Sequence, residues 1–228
     1  MIEVKRPEAT YFLPHGLPQR KIDRFTLNGS EPWLREYMCT LLTERPGSVI
    51  SAGAYVGGLL APLSAHATIV YAWEPIHEHY SCVERMLAVN GIHNVVLRRA
   101  ALGKSHRKLQ MTTGCEGAEL LGGDSCVITD QGLASPRLTQ GSWTWTEHTV
   151  AQHMIDDFDY DNLSILQLDL EGYEYAAIQG AVHTIQQHRP FIIAEHNDDL
   201  VAATVEGLGY SVLQERAGDV VYKYTKGM

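Results

Sequence analysis

The chain has 228 residues, 45% of them apolar and 20% charged, with 18 Lys plus Arg against 27 Asp plus Glu and a formal charge of -9. That is enough chain for one sizeable core, and the composition is ordinary for a globular fold. The acidic balance argues against general phosphate clamping of nucleic acid, and no apolar run approaches the roughly 20 residues of a membrane-spanning helix. No nucleic-acid or membrane partner is expected.

The first 30 residues carry Pro7, Pro14, Pro18 and Gly16 and read as an irregular arm, with one short strand at Arg20–Asn28. Glu31–Arg45 reads as a helix with Ser30 as its N-cap, ended by Pro46-Gly47. Ser48–Ala52 is a short apolar strand running into the glycines at 53, 57 and 58. Ala67–Trp73 is a second unbroken apolar run, and His77–Asn90 is helical, with Tyr80, Val83 and Leu87 at intervals of three and four. Val95–Leu97 is a third strand and Leu163–Leu168 a fourth, the latter followed by a helix to about His188. Phe191–Ala194 is a fifth strand, with a helix over Asp198–Leu208. Tyr210–Gln214 and Val220–Tyr224, joined by R-A-G-D, are too close for a parallel crossover and must form a hairpin.

Continuous apolar strands separated by helices specify a parallel sheet covered on both faces. The α/β rhythm breaks between residues 104 and 150, which read as an insertion of short strands and loops. The expected organisation is a single domain over 1–228, an N-terminal arm and helix (1–45) leading into an α/β core (46–228). Cys39, Cys82, Cys115 and Cys126 show no C-x-x-C spacing, and M-I-E-V-K-R-P-E-A-T lacks an apolar signal core. Reduced thiols and a cytoplasmic location are therefore expected. His77, His79 and Cys82 lack a second ligand pair, so no metal is expected there.

In open parallel sheets ligands bind outside the carboxyl ends of the strands, at the switch in strand order. After strand one stands S-A-G-A-Y-V-G-G (51–58), whose glycines admit close backbone approach. After strand two stands Glu74-Pro75, a carboxylate placed to accept both hydroxyl protons of a ribose. Together they point to a nucleoside-containing cofactor, either a dinucleotide or S-adenosylmethionine. A dinucleotide loop would put glycine at three slots, here Gly53, Tyr55 and Gly58, so the second is missing. The terminal hairpin also favours the methyltransferase sheet, and no phosphate-binding G-K-[ST] occurs. A nicotinamide-dependent reductase remains the alternative from another class.

Further motifs carry a resemblance. S-A-G-A-Y-V-G (51–57), W-E-P (73–75), Asn90 with N-V at 94–95, A-L-G (101–103), L-D-L-E-G-Y-E (168–174), Gly180-Ala181 and R-P-F-I-I-A-E (189–195) occur in this order. Over about residues 46 to 200 the chain resembles the FkbM-type S-adenosylmethionine-dependent methyltransferases. The resemblance implies a Rossmann-like, mostly parallel seven-stranded sheet, and methyl transfer that leaves S-adenosylhomocysteine. It implies that Gly53, Ala54, Tyr55 and Gly57 lie against the methionine part of the cofactor. Glu74 with Pro75 would hold the ribose, Ala100 and Ala101 border the adenine, and Asp169 and Glu171 face the methyl group and the acceptor. The family's acid at the end of strand one is Ser51 here. That departure implies either a weaker hold on the methionine ammonium or another acid in its place, and leaves a non-catalytic binder as a further reading.

The expected reaction is methylation of a hydroxyl, or alternatively of a peptide or amine nitrogen, on a small molecule, sugar or peptide. A hydroxyl acceptor needs its proton removed as the bond forms. Asp169 is the preferred base, His196 the competitor, and Glu171 the group that orients the acceptor; Glu174 reads as a helix cap. Glu195 is a candidate for binding the acceptor. Trp143 and Trp145 alternate with threonines and so share one strand face. They would serve either as an acceptor platform or as the contact of a homodimer.

Overall fold

The computed structural model describes residues 1–116, 119–129, 132–133, 144–195 and 199–226, and between 114 and 145 the side chains of Val127 and Ile128 only. The chain opens with β1 (Ile2–Lys5) and β2 (Thr10–Leu13), an antiparallel pair, where the prolines suggested an irregular arm. The turn closes through the Arg6 N–H on the Ala9 carbonyl, which accommodates Pro7 between the strands. Next comes α1 (Gln19–Asn28), a helix where a strand was expected. Ile22 and Phe25, three apart, share the face that meets the core, while Leu27 is left 78% exposed. Helix α2 (Pro32–Glu44) begins with Pro32 at a first-turn position; its N-cap is Glu31, in left-handed backbone with φ 39°, and not Ser30.

The core then alternates. Strand β3 (Ser48–Ala52) leads through the glycine loop to α3 (Leu60–Ser64), β4 (Val70–Trp73), α4 (His77–Val89) and β5 (Val95–Arg98). After the insertion come β11 (Leu163–Leu168), α5 (Glu174–Gln179), α6 (Val182–His188), β12 (Phe191–Glu195), α7 (Asp199–Gly207), β13 (Tyr210–Arg216) and β14 (Asp219–Tyr224). The expected single helix to His188 is therefore two, broken at Gly180-Ala181. Among the described residues the main sheet has seven strands in the order β13-β14-β12-β11-β3-β4-β5. All pairs from β12 to β5 are parallel, while β14 is antiparallel to both β12 and β13. This is the Rossmann-like sheet with an antiparallel end that the sequence implied.

Strands β3, β4 and β11 are buried at every residue. Alternation then splits the core: Val49 and Ile165 join the face covered by α2, α3, α4 and the N-terminal hairpin, whereas Ile50, Leu166 and Leu168 join the face covered by α5–α7. Asn90 at the end of α4 fixes the hairpin by accepting the Thr10 N–H and donating to the Thr10 carbonyl.

The insertion belongs to a second sheet whose three central strands are long, not short. The sheet comprises β6 (Ala101–Leu102), β7 (Arg107–Glu116), β8 (Glu119–Thr129), β9 (Gly132–Leu133) and β10 (Thr144–His153), in the order β6-β10-β7-β8-β9. β10 and β7 pair antiparallel from Thr144↔Cys115 to Gln152↔Arg107. Strand β6 starts just after β5, so this sheet is joined to the main one beside the cavity described next.

Candidate active site

From β3 the chain builds outward to β4 and β5 on one side and, after the insertion, to β11 and β12 on the other. The carboxyl ends of these strands enclose a cavity of about 300 Å³. Ala100, Ala101 and Leu102 wall one side, Met111 and Val127 of the second sheet contribute apolar surface, and Ser30 and Glu31 enter from the N-terminal segment.

The glycine loop is held tightly. Gly53 has φ 86°, and a Cβ there would lie 1.9 Å from the Asp169 carbonyl oxygen, so only glycine fits this approach. The N–H groups of Gly53 and Ala54 both donate to the Trp73 carbonyl, at 3.1 and 3.0 Å. Glu74, only 4% exposed, accepts the Tyr55 N–H on Oε2 at 2.8 Å and the Ile76 N–H on Oε1 at 2.9 Å. His79 Nδ1 stands 3.5 Å from Oε1, and its ring meets Tyr55 edge-on at 4.7 Å. Each carboxylate oxygen has two acceptor sites, so Glu74 retains capacity toward the cavity it lines.

Of the other expected cofactor residues, Ser51, Gly53, Ala54, Tyr55, Pro75, Ala100, Ala101 and Asp169 line the cavity. Gly57 does not; its φ is 83°, and a Cβ there would meet Met86 Cε at 2.5 Å, so it serves packing on α4. Ser51 is 1% exposed and donates its hydroxyl to Gln167 Oε1 at 2.8 Å, a neutral pair where the resemblance placed an acid.

The cavity wall that continues from Gly53 is acidic. Asp169, Glu171 and Glu195 bring carboxylate oxygens within 4.8 Å of one another. Burial, a hydrogen bond with Glu195, and the charges of Glu31, Glu195 and Glu171 push the Asp169 carboxyl well above the usual carboxylate range. Glu195, expected to bind acceptor, is thus a direct partner of Asp169. Glu174 accepts the Leu170 N–H at 2.8 Å, bracing the loop that carries Glu171. His196 and Trp143 lie outside the described residues, and of Trp145 only its backbone in β10, opposite Gly114, is described. His79 faces Glu74, and Cys82 is buried, so with His77 bonded to Arg99 Nη1 these three do not converge.

Sequence reasoning missed Ser30 and Glu31. Burial, together with Asp219, Glu195 and Glu171, pushes the Glu31 carboxyl from its ordinary 4.5 up to about 7. A raised carboxyl binds an extra proton in the folded state between these values, so stability falls as pH rises through that window. Glu31→Gln should reduce this dependence, leaving the share that comes from Asp169, and raise the stability of the ligand-free protein at pH 8 by about 1–3 kcal/mol. Melting curves at pH 5 and pH 8 check it; equal pH dependence in variant and wild type would contradict it.

The Gly53 approach, the acceptor capacity of Glu74 and the apolar wall from Ala100 to Leu102 fit a nucleoside with a charged aliphatic arm. A family model described as a methyltransferase FkbM domain matches residues 51–218. A crystal structure of methyltransferase FkbM from Methylobacillus flagellatus KT is similar, with TM-score 0.52 and 18% identity over 78% of this chain and 43% of that one. The chain thus spans less than half the length of that structure, and the likeness shows the fold. Precorrin-6y C5,15-methyltransferase from Geobacter metallireducens aligns with TM-score 0.48 and 11% identity over 93% and 91% of the two chains. Magnesium protoporphyrin IX methyltransferase from Synechocystis, crystallised with bound S-adenosylmethionine, aligns with TM-score 0.47 and 12% identity over 92% and 99%. A search of curated proteins finds no match. No helix among the described residues is long and apolar enough to cross a membrane.

Proposed function

The chain belongs to the FkbM family of S-adenosylmethionine-dependent methyltransferases, and we propose that it methylates a hydroxyl oxygen on a small-molecule, sugar or peptide acceptor, with Asp169 taking the acceptor's proton. The observation that carries this reading is the convergence of Asp169, Glu171 and Glu195 at one end of the cavity. When bound, S-adenosylmethionine supplies a methyl group on a sulfonium, an electrophile needing no further activation.

Glu74 accepts the ribose hydroxyls, Ala100 and Ala101 border the adenine, and the backbone from Gly53 to Tyr55 lies against the amino-acid arm. Asp169 and Glu195, joined by a hydrogen bond, hold one proton between them, which leaves one negative charge to receive another proton. Glu171 orients the acceptor hydroxyl toward that charge. Met111 and Val127 present an apolar surface that keeps bulk water from the reacting groups.

Two measurements test the reading. S-adenosylhomocysteine should raise the melting midpoint by mass action and NADH should not. An extract incubated with enzyme and a carbon-13 methyl donor should yield a product whose new methyl carries the carbon-13 chemical shift of an O-methyl ether. A labelled amine as the sole product would overturn the choice of oxygen.

A further inference from the structure

The ammonium of the cofactor's amino-acid arm needs an anionic partner, and the cavity wall around the glycine loop offers few. Ser51 is neutral and its hydroxyl is committed to Gln167. The loop from Gly53 to Leu59 contains no acid. Glu74 is fastened to the Tyr55 and Ile76 N–H groups, and its remaining acceptor capacity is assigned to the ribose. Asp169 and Glu195 are bonded to each other, and Glu171, the remaining acid of the core wall, is assigned to the acceptor.

Glu31 differs from all of these. It lines the cavity, yet it lies outside the residues that match the family, 51–218. No hydrogen bond among the described residues engages its carboxylate. Its placement is specific. Arg6 Nη1 donates to the carbonyls of Phe25 and Thr26, and the Gly29 N–H returns to Phe25, so the end of α1 is locked before the chain turns. Ser30 then seats on the glycine loop at Gly58, where a Cβ would come within 2.3 Å of the Ser30 Cβ. This contact fixes the register between the N-terminal turn and the loop that receives the cofactor.

We propose that Glu31 supplies the anionic partner of the cofactor's ammonium, so that the N-terminal segment brings the carboxylate that the end of β3 lacks at Ser51. The proposal rests on the methyltransferase reading and deepens it. Ligands that differ only in the amino-acid arm separate the two. S-adenosylhomocysteine carries the arm; 5′-methylthioadenosine keeps the adenosine and thioether but lacks ammonium and carboxylate.

Calorimetry on the full chain should show Glu31→Gln weakening S-adenosylhomocysteine by about 10-fold or more, the loss of one charge-assisted hydrogen bond. Affinity for 5′-methylthioadenosine should stay within about 2-fold, since a neighbour's charge alone is a small effect on a neutral ligand. Adding Ser51→Asp to Glu31→Gln should recover S-adenosylhomocysteine affinity, because the Gln167 amide can turn its N–H toward the new carboxylate. Unchanged S-adenosylhomocysteine affinity in Glu31→Gln, or equal weakening of both ligands, would overturn the assignment. Wild-type protein that binds neither ligand would overturn the cofactor reading beneath it.

Discussion

Asp169→Asn is expected to slow methyl transfer by on the order of 10²–10⁴, the usual cost of losing a general base, while S-adenosylhomocysteine affinity stays within a few-fold. The amide keeps the carboxyl's shape but cannot take a proton. It also breaks the symmetry of the pair with Glu195, because an amide donates where Asp169 shared a proton. Burial and the surrounding acids raise the Asp169 carboxyl above the usual carboxylate range, which makes its carboxylate a stronger base than an ordinary one. A cationic methyl donor bound beside it would favour the carboxylate form. Single-turnover rates of Asp169→Asn and His196→Ala decide between the two candidates. Near-normal chemistry in the first with a large loss in the second would make His196 the base.

Glu74→Ala should weaken S-adenosylhomocysteine by about 1.5–3 kcal/mol for each charge-assisted bond lost to the ribose. It should also lower the melting midpoint without ligand, since the carboxylate accepts the Tyr55 and Ile76 N–H groups and leaves both without that partner. Both effects share one cause, a buried acceptor that serves the loop and the ligand together. Calorimetry and a melt on the same preparation check it, and a folded variant with unchanged affinity would remove Glu74 from the ribose site.

The main sheet was legible because its central strands are short, mostly apolar runs bounded by Gly, Pro or polar residues. β3, β4, β11 and β12 are buried along nearly their whole length, and two of the polar residues within them, Ser51 and Gln167, are bonded to each other inside the sheet. The closing hairpin was legible from R-A-G-D, where Ala217 and Gly218 both take positive φ. Helix α1 was misread because Phe25-Thr26-Leu27 alternates like a strand, while the face that folds is set by Ile22 and Phe25. The second sheet was underestimated because its Gly, Thr and Ser content reads as loop, although pairing of β7 with β10 and β8 sustains long strands.

At the cavity, Gly53, Glu74 and Asp169 were found because each directly follows a strand. Ser30 and Glu31 were not, because their position depends on a long-range contact with Gly58 and on a left-handed residue. One local signal was present. Glu31-Pro32 repeats the dipeptide Glu74-Pro75, and a residue before proline is steered away from helix.

Three residues around the cavity, Glu31, Tyr55 and Glu171, hold φ of 39°, 48° and 52° without being glycine. Such conformations cost on the order of 1–3 kcal/mol each, and glycine would relieve them at no steric cost. A campaign that selected variants by thermal tolerance alone would therefore be drawn to these positions and would accept glycine there. It would collect robust proteins stripped of side chains that line the cavity, and, if those side chains hold the ligand as proposed, thermal tolerance would rise as turnover fell. Selection on this scaffold has to score binding and heat resistance in the same round.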